Sequence, residues 1–364
     1  MGPLLAALLA LPVAGGFMRP AAAAESGAVI LHTVPVKALR SNRLGDPAEI
    51  RVAVYLPPGY GSPPERRYAT LYLLHGWLGS IDEFGVSEGK PGFQGMQLAS
   101  TMDEAAARGT VRDTIVVVPE GRNRYFGSFY VNSVVTGAWE DAIVRELVPW
   151  IDARYRTVPG AGARGIAGFS MGGYGALMLA MNNPDVFGSV YALSPCCLGM
   201  VADLGPDNPW WANAGRLRSP DEMKSDPASA EESFPIFVTS LAAALSPNPA
   251  RPDLYVDLPF EAVNGQLGRS EPAWSAWRSR MPLYLVGRNQ DKLRRLRGIG
   301  LDVGAEDEYA QIAAGTRLLS QELASLGMPH VFEIYAGGTH RSMIRERIET
   351  RVLPFFGRTL RAGP

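Results

Sequence analysis

Net charge is almost missing from this chain: 35 lysines and arginines stand against 36 aspartates and glutamates over 364 residues, a formal charge of -1. Such a balance gives no field to gather a polyanion or an anionic membrane, so a nucleic-acid-binding role is excluded as the main activity. Cysteine is nearly absent too, the only two being the neighbours Cys196 and Cys197. Adjacent cysteines close only a strained eight-membered ring. They are read as two buried thiols packed at a strand end, which leaves no disulfide framework and no cysteine set for a metal. Histidine is limited to His32, His75, His330 and His340. No internal repeat occurs, and beyond the first residues no run is long and apolar enough to span a bilayer.

The exception is the start, where "PLLAALLALPVAGGFM" is followed by Arg19-Pro20 and "AAAAES". It reads as a secretory signal over residues 1–24, cleaved after Ala24, although no lysine or arginine precedes the apolar run. Pro12, Gly15 and Gly16 break that run, so it makes a poor spanning helix. The expectation is a secreted or periplasmic protein without stable membrane insertion.

Strand and helix signals then alternate. "AVILHTVPV" and "AEIRVAVYLPPGY" read as strands, and "YATLYLLHG" and "DTIVVVPEG" as central strands, being apolar throughout and closed by glycine. "MQLASTMDEAAARG" has helical composition, and in "GAWEDAIVRELVPWIDARY" Trp139, Ile143, Leu147 and Trp150 form a helical stripe. The beat continues through "ARGIAGF", "GGYGALMLAMNN" and "GSVYALSP", and returns with "RGIGLDVG", "AQIAAGTRLLSQELASLG", "HVFEIYAGG" and a last helix. Alternation of this kind specifies an α/β fold with a mostly parallel sheet covered on both faces. Residues 25–364 are expected to form that domain. The stretch from about 198 to 297 interrupts it as a cap or lid over the carboxyl edge of the sheet. It holds Trp210, Trp211, Trp274 and Trp277, expected mostly to pack the cap's own core.

Chemistry concentrates at Gly168-Phe169-Ser170-Met171-Gly172. The pentapeptide fits G-x-S-x-G, the sharp strand-to-helix turn that lifts a serine hydroxyl off the top of a sheet. A serine needs a base. His32 and His330 read as ordinary strand residues, and His75 as a brace for its own loop. His340, in "AGGTHRSM" beyond the last strand, is placed to reach the serine. The acid that orients it should lie between serine and histidine, in "LDVGAEDEYAQI". Asp302 falls inside the strand, Asp307 is favoured, Glu306 comes next, and acids not chosen are read as helix-start charge. The oxyanion donors are read as the backbone N–H groups of Met171, at a helix start, and of Trp77 in "LLHGWLGS", with Leu78 as its alternative.

"LYLLHGWLGS", "VVVPEGRNRYFGSFYVN", "WEDAIVRELVPWID", "GIAGFSMGGYGAL", "LDVGAEDE" and "GGTH" resemble, in order and spacing, the esterase D-like family of α/β-hydrolases. That family includes feruloyl esterases, S-formylglutathione hydrolases and mycolyltransferases. The resemblance spans roughly residues 45 to 200 and 297 to 356 and leaves the insertion uncovered. It implies an α/β-hydrolase fold, a Ser170, Asp307, His340 triad, oxyanion donors at Trp77 and Met171, and an acidic helix at Trp139-Glu140 supporting the site from beneath. The expected enzyme is an exported serine esterase acting on a small-molecule or saccharide-linked ester, with no metal and no organic cofactor. An acyltransferase using the same acyl-enzyme is the alternative, and a non-catalytic binding protein on the same fold a further one.

Overall fold

A computed structural model of the chain describes residues 26–227, 229–263 and 266–361. The expected signal at residues 1–24 lies outside the described residues. Eight strands form one sheet: β1 (Ala28–Pro35), β2 (Glu49–Leu56), β3 (Ala69–Leu74), β4 (Thr114–Pro119), β5 (Arg164–Phe169), β6 (Ser189–Leu193), β7 (Gly298–Gly304) and β8 (Val331–Tyr335). Their spatial order is β1-β2-β4-β3-β5-β6-β7-β8. Strand β2 runs antiparallel to both neighbours, and from β4 onward every pair is parallel. The chain thus has the α/β-hydrolase fold, on a mixed and mostly parallel sheet.

Every residue of β3, β4, β5 and β6 is buried, which is why these segments read as continuous apolar runs. Alternate side chains still serve different cores. Tyr72, Leu74 and Ile166 face a core shared with the helices α2 (Met171–Asn182), α3 (Ala230–Leu245) and α4 (Ala310–Ser325). Leu71, Leu73, Ala167 and Phe169 face one shared with α1 (Leu98–Ala107) and the C-terminal helical turns from Ile344 to Thr359. The striped segment after Gly137 is helical, with a π-turn over Ala142–Leu147 between Trp139–Asp141 and Val148–Arg154.

Between β6 and β7, which lie side by side, the chain makes its long excursion. It contains short 3-10 turns, helix α3 and a two-stranded ribbon, Phe260–Val263 with Gln266–Arg269. Ser229 caps α3 by accepting the N–H of Glu232. Trp211 and Trp277 are fully buried and meet edge to face with centroids 6.0 Å apart, and each indole N–H is satisfied, on the carbonyl of Gly205 and the hydroxyl of Ser246. Trp274 packs on Phe260. Trp210 instead faces the cleft described below.

Candidate active site

Strand β5 ends at Phe169, α2 begins at Met171, and Ser170 stands alone between them at φ 56, ψ -115. A non-glycine residue is strained in that region and persists only when its surroundings hold it. They do so on both sides. Ser170 N–H donates to Leu193 O of β6 at 2.9 Å, and Ser170 O accepts the N–H of Tyr174 at 3.0 Å, opening the helix. The glycines two residues away are dictated by clearance. A Cβ at Gly168 would lie 2.3 Å from the carbonyl of Gly172, and one at Gly172 would lie 2.2 Å from Leu74 O.

The loops after β7 and β8 are joined to each other, which holds the segments of Asp307 and His340 side by side. Ala305 N–H donates to Tyr335 O and Glu306 N–H to Gly338 O, at 2.8 and 3.0 Å. Asp307 and His340 are thereby brought together: Asp307 Oδ2 lies 2.9 Å from His340 Nδ1, and His340 Nε2 lies 3.0 Å from Ser170 Oγ. A carboxylate facing Nδ1 calls for the proton there, leaving Nε2 free to accept from the serine hydroxyl. Phe169 and Tyr309 flank the imidazole at centroid distances of 4.8 and 5.0 Å. All three side chains are buried, with residue exposures of 7% for Ser170, 9% for Asp307 and 6% for His340.

The other acids go elsewhere. Asp302 is buried in β7 and accepts from Arg347 Nε and Tyr191 OH, at 3.0 and 3.1 Å. Glu306 is exposed. Glu308 does not act as helix-start charge for α4: its Oε2 accepts the backbone N–H of His340 at 2.8 Å, pinning the loop that carries the imidazole. Glu140 does not sit beneath Ser170. It accepts from Asn182 and Asn183 at the opposite end of α2, about 18 Å along the helix axis. His32 and His330 keep structural partners, Tyr155 OH for the first and Ser320 Oγ with Met328 O for the second.

Among the described residues, the N–H groups of Trp77 and Met171 donate to no protein acceptor. Leu78, the alternative to Trp77, has φ 65 and gives its N–H to Phe126 O at 3.2 Å. The loop comes close to the serine: a Cβ on Gly76 would be 3.5 Å from Ser170 Cβ. His75 is completely buried, and it has the carboxylate partner that its sequence surroundings did not suggest. Glu120, one residue past β4, places Oε1 2.7 Å from His75 Nε2.

Ser170 and His340 open into a cleft of about 140 Å³ whose apolar walls include Trp77, Trp210, Phe234, Phe237 and Ile312. Helix α3 of the excursion thus supplies one wall and the sheet edge another. One acid shares the cleft: Asp203 Oδ1 accepts Gln311 N–H at 2.6 Å. Burial pushes its carboxyl up to about 6, the Gln311 hydrogen bond working against this and the charge of Asp307 adding to it. Cys196 lines the same cleft beside Cys197, whose thiol burial pushes up. On the other side, Leu78 and Arg341 also border a polar hollow with Arg122, Asp82, Glu83 and Gln94. Arg341 is held there by Glu83 at 2.6 Å. No group of three or more His, Cys, Asp and Glu among the described residues is arranged to hold a metal ion, and no helix among them is long and apolar enough to cross a membrane.

The model of the family described as "Putative esterase" matches residues 41–352. Over 138 residues the chain is 33% identical to "Endo-1,4-beta-xylanase/feruloyl esterase" of Xylanibacter ruminicola, covering 37% of this chain and 18% of that protein. Over 130 residues it is 35% identical to "Esterase Rv1288" of Mycobacterium tuberculosis, covering 35% of this chain and 25% of that protein. The matched stretches therefore span a quarter or less of these curated relatives. A solved structure of a ferulic acid esterase superposes with a TM-score of 0.61 at 20% identity, covering 92% of this chain and all of that one, a likeness of fold.

Proposed function

We propose that this chain, which belongs to the esterase family matched over residues 41–352 and is a carboxylic ester hydrolase of the serine type, acts through Ser170 as nucleophile, His340 as base and Asp307 as the acid that orients it. One observation carries the assignment: two hydrogen bonds, of 3.0 and 2.9 Å, run from Ser170 Oγ through the imidazole to a buried carboxylate. A hydroxyl so placed loses its proton to Nε2 as it attacks the acyl carbon, and Asp307 stabilises the imidazolium that results. The two free amides, of Trp77 and Met171, receive the oxyanion, and Met171 does so at the start of a helix whose dipole favours negative charge. His340 then protonates the departing alcohol, and water, deprotonated by the same imidazole, releases the acyl group.

The segment from about 198 to 297 is assigned as the cap. Its helix α3 and Trp210 close the apolar side of the cleft, which suits the acyl group. Walls built from Trp77, Trp210, Phe234 and Phe237 suit an aromatic acyl group, in keeping with the feruloyl and ferulic acid esterases among the similar proteins. The polar hollow beside Arg341 suits a hydroxylated alcohol. Export rests on the apolar leader alone, and N-terminal sequencing of the mature protein checks it.

The test is hydrolysis of p-nitrophenyl esters of graded acyl size by the wild type and Ser170→Ala, with fluorophosphonate labelling of the wild type. Loss of turnover in the variant and labelling at Ser170 are expected; turnover that survives the substitution refutes the assignment. Products formed with and without an added alcohol separate hydrolysis from acyl transfer.

A further inference from the structure

We infer that His75 and Glu120 lock the Gly76–Trp77 peptide in the one orientation that points Trp77 N–H at the oxyanion, which makes both of them positioning residues. The inference depends on Trp77 being an oxyanion donor, as proposed above. A trans peptide is planar, so its C=O and N–H point in opposite directions, and whatever grips Gly76 O decides where Trp77 N–H points. Two donors grip it: His75 Nδ1 at 2.8 Å and the N–H of Gly79 at 3.1 Å. The grip is needed because glycine at 76, where a Cβ would crowd Phe169 at 3.1 Å, leaves that peptide cheap to rotate.

Where His75 holds its proton follows from what faces its two nitrogens. Nδ1 must carry a proton to meet the Gly76 carbonyl, and two groups meet Nε2: Gly121 N–H donates to it at 2.7 Å, and Glu120 Oε1, which has no hydrogen bond of its own, lies at the same distance. The Gly121 N–H on Nε2 favours the tautomer that carries its proton on Nδ1, the one the Gly76 carbonyl requires. The Glu120 carboxylate beside the ring favours its charged form, and whichever state is populated the Nδ1 proton stays hydrogen-bonded to Gly76 O. The other groups around the ring agree. Burial pushes the imidazole pKa down, but the Glu120 carboxylate beside it, the charge of Glu83 and the Gly76 carbonyl leave it raised. Glu120 is lowered: burial raises it, and His75 together with the N–H groups of Ile81 and Arg122 more than offsets this. A neutral ring protonated only at Nε2 would turn a lone pair on Gly76 O and release the peptide. Glu120 is fixed in turn by its place directly after β4, where its N–H pairs with Arg51 O at 2.8 Å, so the lock ties the oxyanion loop to the sheet.

The experiment uses the full chain and two variants, Glu120→Gln and the double variant His75→Leu/Glu120→Met. The second removes both charges together, so no unpaired buried ion is left to unfold the protein. Folding is checked by circular dichroism and by stoichiometric fluorophosphonate labelling. Loss of a whole oxyanion donor costs about 10²–10³ in kcat, so a loosened one should lower kcat by roughly 10 to 10²-fold in the double variant, with KM within about twofold. The infrared carbonyl band of the acyl-enzyme should move to higher wavenumber, because the acyl C=O is less polarised. A folded double variant with wild-type kcat, or a slow one whose carbonyl band has not moved, overturns the lock. A wild-type acyl-enzyme whose band already sits where a free ester absorbs would instead overturn the oxyanion assignment beneath it.

Discussion

Replacing Asp307 by asparagine tests the site at its most discriminating point, since four acids crowd the segment between serine and histidine. The Asp307 side chain is completely buried and its Oδ2 meets His340 Nδ1 at 2.9 Å. As Ser170 loses its proton the imidazole gains a full charge about 4 Å from the carboxylate. At an effective dielectric constant near 20 that pair is worth about 4 kcal/mol, or roughly 10³ in rate. An amide also presents an N–H₂ group that cannot accept the Nδ1 proton, so part of the population holds the wrong tautomer, and the total loss should approach about 10⁴ in kcat. The fold should survive, because a neutral amide is easier to bury than a carboxylate. The assay is kcat for p-nitrophenyl acetate, read beside Glu306→Gln and Glu308→Gln. Glu306 is exposed and its replacement should change little. Glu308→Gln can keep an acceptor on the His340 N–H and should lose about tenfold at most, in line with one weakened hydrogen bond. An Asp307→Asn variant within about tenfold of wild type, or a Glu308→Gln loss as deep as that of Asp307→Asn, would refute the assignment of the acid.

Three further outcomes follow from the same contacts. Gly168→Ala puts a methyl 2.3 Å from the Gly172 carbonyl, a backbone atom that cannot step aside, and should cost about 3 kcal/mol or more in urea unfolding; an unchanged midpoint would show that the elbow has slack. Asp203 is held up at about 6, above its ordinary value of 3.8, so the wild type is stabilised below pH 4 and loses that contribution as pH rises through 6. Asp203→Asn does not titrate, so its melting temperature should match or trail wild type at pH 4 and overtake it by pH 8; a difference independent of pH would contradict the shift. Trp277→Ala empties a fully buried site in the excursion between β6 and β7 and removes the donor to Ser246 Oγ, and should cost about 3–5 kcal/mol in urea unfolding.

What the sequence revealed was local or short of alternatives. The elbow could be seen because two glycines and a serine answer to clearances within five residues, each set by backbone that the pattern itself creates. The central strands could be read because a strand covered on both faces is mostly apolar along its length. His340 emerged from a field of four histidines, and it lies at hydrogen-bond distance from the serine. Sheet order was less accessible: β4 pairs with β2 on one side and β3 on the other, a choice fixed by crossovers rather than by any residue of β4.

The supporting contacts were hidden for a different reason, since each joins segments far apart in sequence through a side chain whose local setting suggests something else. Glu308 stands two residues before α4 and reads as charge for that helix, yet it turns to the backbone of His340, because the loops after β7 and β8 are zipped together and bring that N–H closer. Glu120 follows a proline at a strand end, and it meets an imidazole 45 positions earlier because β3 and β4 are parallel neighbours and their carboxyl ends coincide. Parallel pairing therefore creates these contacts: it gathers the loops that follow the strands at one edge, where an acid after one strand can find a base after the next. In a sheet of this kind an acid or histidine just past a strand is better assigned by which strand lies beside its own than by the helix it precedes.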